Sequence, residues 1–304
     1  MNHSQRLALA KRALWGTSIG DAFGESFFGD RNEMIHHIEQ RTMPQTSWEF
    51  TDDTVMAIAV FEQLEKHQTI IQDDLALQFS LNHDKDVNRG YGATARRILR
   101  EIGEGADWKV LSQSVFEGMG SLGNGASMRV CPIGAYFFDD LEKVKDLAAK
   151  SAEITHTHLE GITGAIAVAV ATALATQLKI EGKSINPEEF IKRVLKELPD
   201  SDTKSKINKS LSVAYSYNID SVAAILGNGI KISAPDTVPF AIWCAAWNLA
   251  NYEEALWKAV SILGDRDTIC AIVGGITIMS AKDNSIPQAW SNAVEDFEKS
   301  IFKN

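Results

Sequence analysis

The 304-residue chain lacks the features of several specialised protein classes. It has three cysteines, and Cys131, Cys244 and Cys270 are too widely spaced for a metal or redox motif. A disulfide-stabilised scaffold is therefore not expected. Runs of alternating apolar and polar residues bounded by turns, the usual signal for strands, are also scarce. With 45% hydrophobic and 23% charged residues, the composition is that of an ordinary globular protein.

Positive charge is in deficit as well. The chain has 30 Lys and Arg against 40 Asp and Glu, a net charge of −10. A general nucleic-acid binder needs a basic face, so that class is not expected, whereas a small phosphorylated ligand remains compatible. The start of the chain lacks the basic-then-apolar order of a signal peptide. The longest uncharged run, 161–178, is rich in Ala with several Gly and Thr, which favours an interior helix over a membrane span. We expect a cytoplasmic protein without a membrane segment.

Helical periodicity dominates the rest of the chain. Asn186 and Pro187, followed by two Glu, have the order of a capped helix start. The polar segment 200–209 is predicted to be a surface loop or a frayed helix end. The sequence therefore predicts an all-α fold, a single compact multi-helix domain spanning residues 1–304, with other helices over 5–15, 54–66, 139–152, 160–178, 238–250, 253–263 and 268–281.

Two acidic segments carry the strongest chemical signal. Thr51-Asp52-Asp53-Thr54 and Gly264-Asp265-Arg266-Asp267-Thr268 each precede an apolar helical pattern. Asp and Thr are common helix caps, so each segment alone has a structural explanation. If the two segments meet, their carboxylates would repel one another unless cations or protons compensate. Oxygen ligands of this kind favour hard divalent cations. Arg266 would then either partly neutralise the cluster or face an anionic ligand.

Three other segments each allow two interpretations. The glycines of Ser121-Leu122-Gly123-Asn124-Gly125 permit positive φ and a nest of N–H groups for a phosphate, but also fit a plain turn. Arg129, which follows, is either a phosphate ligand or a structural ion-pair partner. The loop 86–92 either holds a ribose or is an ordinary loop. His156 and His158 are spaced for metal binding, although hydrogen bonding is favoured because hard cations prefer oxygen.

In the Gly20–Ser26 stretch, Asp21 is interpreted as structural and Glu25 as a candidate base.

Together these segments resemble the ADP-ribosylglycohydrolase family. The matching motifs occur in order over roughly residues 12–282, and the two acidic segments are the most diagnostic of them. The motifs are Gly20-Asp21-Ala22-Phe23-Gly24, Thr51-Asp52-Asp53-Thr54, Arg89-Gly90-Tyr91-Gly92, Gly123-Asn124-Gly125 with Met128-Arg129, Ile154-Thr155-His156 and Gly264-Asp265-Arg266-Asp267-Thr268.

The resemblance implies a cleft with two divalent cations, Mg²⁺ or Mn²⁺. It implies metal ligands at Thr51, Asp52, Asp53, Asp265, Asp267 and Thr268. It places the ADP-ribose diphosphate on the loop of Ser121, Gly123, Asn124 and Gly125. It further implies that Phe116 stacks on adenine, that Gly90, Tyr91 and His156 line the ribose sites, and that Asp86 lies against the substrate ribose.

Two departures from the family pattern concern the chemistry. Arg266 stands where many relatives have Thr or Ser, and Phe28 stands near the position where many have Glu. We therefore consider Glu25, Asp53 and Asp86 as the catalytic acids and bases. The expected reaction is metal-dependent removal of ADP-ribose from a modified acceptor, with ADP-ribosylarginine on protein as the first hypothesis. The alternatives are hydrolysis of a free derivative such as O-acetyl-ADP-ribose, and a non-catalytic ADP-ribose-binding relative.

Overall fold

The protein is described here from a computed structural model that places residues 1–303. Within these residues the structure is helical without strands, and only isolated bridges join Trp48 to Val294 and Gly123 to Ser233. The helices are α1 His3–Glu25, α2 Arg31–Gln40, α3 Asp52–His67, α4 Gln72–Lys85, α5 Ala93–Gly103, α6 Trp108–Ser114, α7 Cys131–Tyr136, α8 Leu141–Glu153, α9 Leu159–Glu181, α10 Pro187–Lys196, α11 Asp202–Lys209, α12 Ile219–Leu226, α13 Ala234–Trp247, α14 Tyr252–Val260, α15 Arg266–Thr277 and α16 Gln288–Ala293, with 3₁₀ turns at Ser210–Ser212 and Phe297–Lys299.

The all-α prediction is confirmed, and the fold is one compact domain. The predicted start of α10 is also confirmed, because Asn186 caps the helix and Pro187 is its first residue. The segment 200–209 differs from its prediction, since most of it forms α11. The side chain of Ser201 accepts a hydrogen bond from the amide of Lys204, and Ile207 is buried. The carboxylate of Glu160 accepts hydrogen bonds from the amides at the start of α11. A cap supplied by a residue 42 positions away leaves no local sequence signal.

Helix α9 is the longest apolar element. By length and composition it could cross a membrane, but 89% of its apolar window is buried inside the protein. Its Ala and Thr side chains are small, and the hydroxyls of Thr172 and Thr176 donate to the carbonyls of Val168 and Thr172 one turn earlier. This burial is typical of a core helix and agrees with the interior helix predicted for 161–178.

Helices α1 and α15 pack with their backbones in close contact. Gly16, Gly20 and Gly24 recur every four residues along one face of α1. A Cβ atom at Gly20 would collide with the carbonyl group of Cys270, and one at Gly24 with that of Arg266. Only glycine therefore allows this approach of two helices. The contact fixes the start of α15, which carries one acidic segment, against the end of α1.

Candidate active site

A cavity of about 610 Å³ gathers residues that are far apart in sequence. Its walls come from the start of α3, the turn before α5, the loop 116–129, residues 155–158, residues 231–232 and the start of α15. The predicted site residues that line it are Asp52, Asp53, Gly90, Phe116, Ser121, Gly123, Asn124, Gly125, His156, Asp265, Asp267 and Thr268. Glu25, Thr51, Asp86 and Tyr91 are not among the lining residues.

Asp21 holds the first acidic segment in place. Its carboxylate is fully buried and accepts hydrogen bonds from the backbone amides of Thr51 and Thr54, at 2.9 and 3.0 Å. The hydroxyl of Thr54 also donates to it, at 2.6 Å. Because Asp21 follows Gly20, the same part of α1 anchors both α15 and the start of α3. Asp21 is therefore structural, as the sequence predicts.

The two acidic segments meet at this cavity. The hydroxyl of Thr268 donates to Oδ2 of Asp53 at 3.4 Å, across 215 residues of sequence. The hydroxyl of Thr51 lies 3.1 Å from the same oxygen and 2.9 Å from the carboxylate of Asp21. Thr51 thus faces its neighbouring carboxylates rather than the open cavity. Oδ1 of Asp53 and Oδ1 of Asp267 are buried and have no hydrogen-bond partner in the structure.

Burial and mutual repulsion make these carboxylates difficult to ionise. Burial first, and then the charges of Asp267 and Asp21, raises the pKa of Asp52 well above its usual value. Burial, Asp21 and Asp267 do the same to the pKa of Asp53. The pKa of Asp265 is raised by burial and by Asp267. Carboxyl groups of this kind bind protons or cations at neutral pH.

The donor set fits a hard divalent cation in its chemistry. All the available groups are carboxylate or hydroxyl oxygens, and two buried carboxylate oxygens lack partners. Within residues 1–303, however, no three His, Cys, Asp or Glu side chains already form a closed ligand set. Oδ2 of Asp265 accepts a hydrogen bond of 2.5 Å from Nδ2 of Asn124. Ligating carboxylates are commonly held by such a hydrogen bond, which leaves their other oxygen for a cation.

The loop of Ser121 to Gly125 lines the cavity, but the reason for its glycines differs from the prediction. Positive φ in this part of the chain occurs at 116, 117, 118 and 120, not at Gly123 or Gly125. Instead, a Cβ atom at Gly123 would lie 2.9 Å from Nε2 of His156, and one at Gly125 would lie 3.1 Å from Cε1 of that ring. These glycines provide room for the imidazole rather than a positive-φ nest.

Tyr91 and Asp86 lie beside the cavity rather than in its wall. The Tyr91 side chain is buried against the ring of His83, at a centroid distance of 5.0 Å. Asp86 forms an ion pair of 3.0 Å with Arg89. The guanidinium of Arg89 lies near two aromatic rings and also pairs with Glu295. The carbonyl of Arg89 accepts a 2.5 Å hydrogen bond from the amide of Asp52. The loop therefore holds the backbone of Asp52 in position.

Glu25 ends α1 near the second acidic segment. Its surface is exposed, yet partial desolvation by its neighbours, followed by the negative charge of Asp267, raises its pKa to about 7, while Arg266 acts in the opposite direction. Arg266 neither pairs with a cluster carboxylate nor lines the cavity. Its guanidinium donates to the carbonyl of Phe27 at 2.5 Å and lies 4.3 Å from the ring of Phe28. The charged group therefore turns away from the cluster.

Arg129 is a site residue whose role the sequence left open. It is fully buried and forms no ion pair, since its hydrogen-bond partners are neutral carbonyl, hydroxyl and thioether groups. His158 lines the cavity and caps α9, where its Nδ1 accepts from the amide of Glu160. Lys231 and the exposed Ile232 line the rim and were missed. The preceding Gly227-Asn228-Gly229 repeats the Gly-Asn-Gly pattern of residues 123–125 and could have marked this segment.

Comparisons with known proteins identify the family and the fold. The family model of the ADP-ribosylglycohydrolases matches residues 2–303. The human ADP-ribosylhydrolase ARH3 is 28% identical, over 97% of this chain and 92% of its own length. The ADP-ribosylarginine hydrolase Tri1 of Pseudomonas putida is 24% identical, over 98% of this chain and 79% of its own length. A solved structure described as an ADP-ribosylglycohydrolase-related protein complex has a TM-score of 0.66 at 20% identity, covering 96% of this chain and 94% of that one, and so shares the fold. The chain belongs to the ADP-ribosylglycohydrolase family and is a hydrolase of glycosidic bonds.

Proposed function

We propose that this protein removes ADP-ribose from a modified acceptor with the help of divalent cations, and that ADP-ribosylarginine on protein is its principal substrate. The observation that carries the proposal is the meeting of the two acidic segments, 51–54 and 264–268, with the Ser121–Gly125 loop around one cavity. Carboxylates on one wall and a glycine-rich loop on another suit a ligand that has both ribose hydroxyls and a diphosphate.

The acidic wall is the proposed cation site, for Mg²⁺ or Mn²⁺. Asp52, Asp53, Asp265, Asp267 and Thr268 would supply its oxygen ligands, and Thr51 would contribute through its contact with Asp53. When bound, such ions supply positive charge that compensates the carboxylates and polarises reacting oxygen atoms.

The remaining groups bind and orient the substrate. The loop of Ser121, Gly123, Asn124 and Gly125 would hold the diphosphate, and Phe116, which is 55% exposed at the rim, would stack on the adenine. Gly90 and His156 would line the ribose. Holding the distal ribose against the acidic wall places its anomeric carbon next to the groups that transfer protons, which replaces a chance encounter by an oriented one.

Glu25 is the proposed general base. With a pKa raised to about 7, its carboxylate exists in both protonation states near neutral pH, which suits a group that accepts and returns a proton. Asp53 is the second candidate, because its partnerless oxygen lies in the cavity wall. Asp86 is the third, although its ion pair with Arg89 holds it at the back of the site and favours a supporting role.

A release assay tests the activity and the acceptor together. The protein is incubated with arginine-, serine- and aspartate-linked ADP-ribosylated proteins and with O-acetyl-ADP-ribose, each with Mg²⁺, Mn²⁺ or EDTA. Cation-dependent release from the arginine-linked protein is the expected result. Release from O-acetyl-ADP-ribose alone would replace protein by a free derivative as the substrate.

Two variants calibrate the assay. Asp267→Asn should lose turnover and cation affinity together while keeping the wild-type circular dichroism spectrum. Asp200→Asn is the matched control, since Asp200 is fully exposed and pairs only with Lys204. ADP-ribose binding without release under any condition would contradict the proposed activity, as would an Asp267→Asn protein of full activity.

A further inference from the structure

Arg129 is a buried cation that makes its hydrogen bonds to neutral groups. Its Nη2 donates to the carbonyl of Ser151 at 2.5 Å and to the hydroxyl of Thr155 at 3.0 Å. Its Nη1 lies 3.4 Å from the carbonyl of Gly125, and the guanidinium lies 4.5 Å from the ring of Phe79. Burial lowers its pKa to about 9, so the group remains charged at neutral pH. A buried charge of this kind is costly to fold, which points to a function for its contacts.

The hydroxyl of Thr155 joins Arg129 to His156. It accepts from Nη2 of Arg129 and lies 2.7 Å from Nδ1 of His156. A hydroxyl has one hydrogen to donate, and the guanidinium can only donate to it. The hydroxyl oxygen has a second lone pair, but an Nδ1–H group donating to it would leave the Thr155 hydrogen without an acceptor among the described residues. The hydrogen of Thr155 is thus directed at Nδ1, which acts as the acceptor. A neutral imidazole that accepts at Nδ1 carries its proton on Nε2.

The environment of His156 keeps the ring neutral. The ring is buried, and burial together with the charge of Arg129 lowers its pKa to about 3. Gly123 and Gly125 pack against its Nε2 side, and the residue lines the cavity. Nε2, on the side of the ring next to Gly123 and Gly125, therefore bears a hydrogen.

We propose that Arg129 and Thr155 are positioning residues that fix His156 as the Nε2–H tautomer, so that the ring presents a hydrogen-bond donor to an oxygen of bound ADP-ribose. His156 then orients the substrate and takes no proton from it. The identity of the ligand rests on the proposed function, whereas the tautomer follows from the hydrogen bonds alone. Arg129 also contacts Gly125, so one side chain sets both the ring and the proposed diphosphate loop.

Thr155→Val and Thr155→Ser separate this role from simple packing. Valine keeps the branched shape and removes the hydroxyl, whereas serine keeps the hydroxyl and loses a methyl group. The tautomer is read from the imidazole ¹⁵N shifts of histidine-labelled protein, and binding is measured by calorimetry with ADP-ribose. The wild type and the serine variant should show the Nε2–H form. The valine variant should lose the single tautomer and bind ADP-ribose about threefold to tenfold more weakly, the usual effect of one neutral hydrogen bond.

The turnover constants give a further readout. In the valine variant KM should rise more than kcat falls, because an orienting donor is lost and the acids are untouched, and serine should restore KM. An Nδ1–H or doubly protonated His156 in the wild type at neutral pH overturns the proposal. So does a valine variant with the wild-type tautomer and wild-type affinity. Failure of the wild type to bind ADP-ribose would instead contradict the proposed function, with the ¹⁵N shifts still deciding the tautomer.

Discussion

Asp53→Asn should make the cation-free protein more stable, although it removes a proposed cation ligand. Asp53 is buried, one of its oxygens has no partner, and the nearby carboxylates raise its pKa. Ionising it in the folded protein therefore costs free energy that the unfolded chain does not spend. Because the folded pKa lies above the unfolded one, the cost is absent below the unfolded value and grows as the pH rises towards the folded value. The advantage of asparagine should thus increase from pH 4 to pH 8.

An uncompensated buried charge costs about 3 to 5 kcal/mol in the free energy of unfolding. Asparagine at position 53 avoids that cost. Against this gain, asparagine weakens the hydrogen bonds that Oδ2 makes with Thr51 and Thr268, each worth about 1 kcal/mol. The net gain in the free energy of unfolding should be about 2 kcal/mol at pH 8, and it should disappear near pH 4.

Urea denaturation in EDTA at pH 5, 6.5 and 8 measures this difference in stability. Repeating the titrations with Mn²⁺ tests whether Asp53 is a cation ligand. A cation that binds only the folded protein adds about 2.7 kcal/mol at 100 times its Kd. The wild type should gain this stability and Asp53→Asn should gain much less. Asp200→Asn, an exposed control, should follow the wild type in both series. A variant that is less stable than the wild type at every pH in EDTA, yet equally stabilised by Mn²⁺, would refute the electrostatic reasoning.

Three further outcomes follow from single residues. Glu25→Gln should lower kcat/KM by about 10²- to 10⁴-fold, and the pH profile of kcat/KM should lose the titration near pH 7. If the variant keeps that titration, the titrating group is another residue. His156→Gln should remove a loss of stability on acidification. The unfolded chain binds a proton at His156 with its usual pKa of 6.5, whereas the pKa in the folded protein is about 3. Between these pH values, urea titrations should show that the wild type loses about 1.4 kcal/mol per pH unit more than the variant. Gly90→Ala should destabilise the protein by about 1 to 3 kcal/mol, because φ is +90° at this residue. The new Cβ would lie 3.2 Å from Oδ1 of Asp52, so calorimetry should also show weaker cation binding. An unchanged cation affinity would show that this turn does not set the position of Asp52.

The sequence predicted helices whose caps and apolar spacing are adjacent in sequence. It missed helix boundaries that depend on contacts with distant residues. The Asn186–Pro187 start of α10 was predictable because cap, proline and acids are adjacent in sequence. Helix α13 begins at Ala234, earlier than the predicted 238, with Pro235 in its first turn and Pro239 inside it. The start of α11 has a local cap in Ser201 and a second one in the carboxylate of Glu160, which no short window of sequence contains.

Some residues of the candidate site were likewise predictable from the sequence, and others were not. Residue types and order were sufficient to select the two acidic segments, since paired carboxylates before apolar helices are uncommon. They could not show that Tyr91 turns towards His83 or that Asp86 pairs with Arg89, because both depend on the packing of α4 and the chain end. Arg129 is the clearest case. A positive charge beside a glycine-rich loop suggests a phosphate ligand, yet the side chain is fully buried and donates a hydrogen bond to Thr155.

The acidic wall and the glycine-rich loop act as one site because Asn124 belongs to both. Its Nδ2 donates to Oδ2 of Asp265 at 2.5 Å and to the hydroxyl of Thr237 at 3.0 Å. In the proposed site, a cation at Asp265 would withdraw charge from the carboxylate that Asn124 contacts, and a diphosphate on the loop would hold Asn124 in place. Cation and ADP-ribose would therefore change each other's affinity through this hydrogen bond, and such coupling between two ligands is reciprocal by thermodynamic necessity.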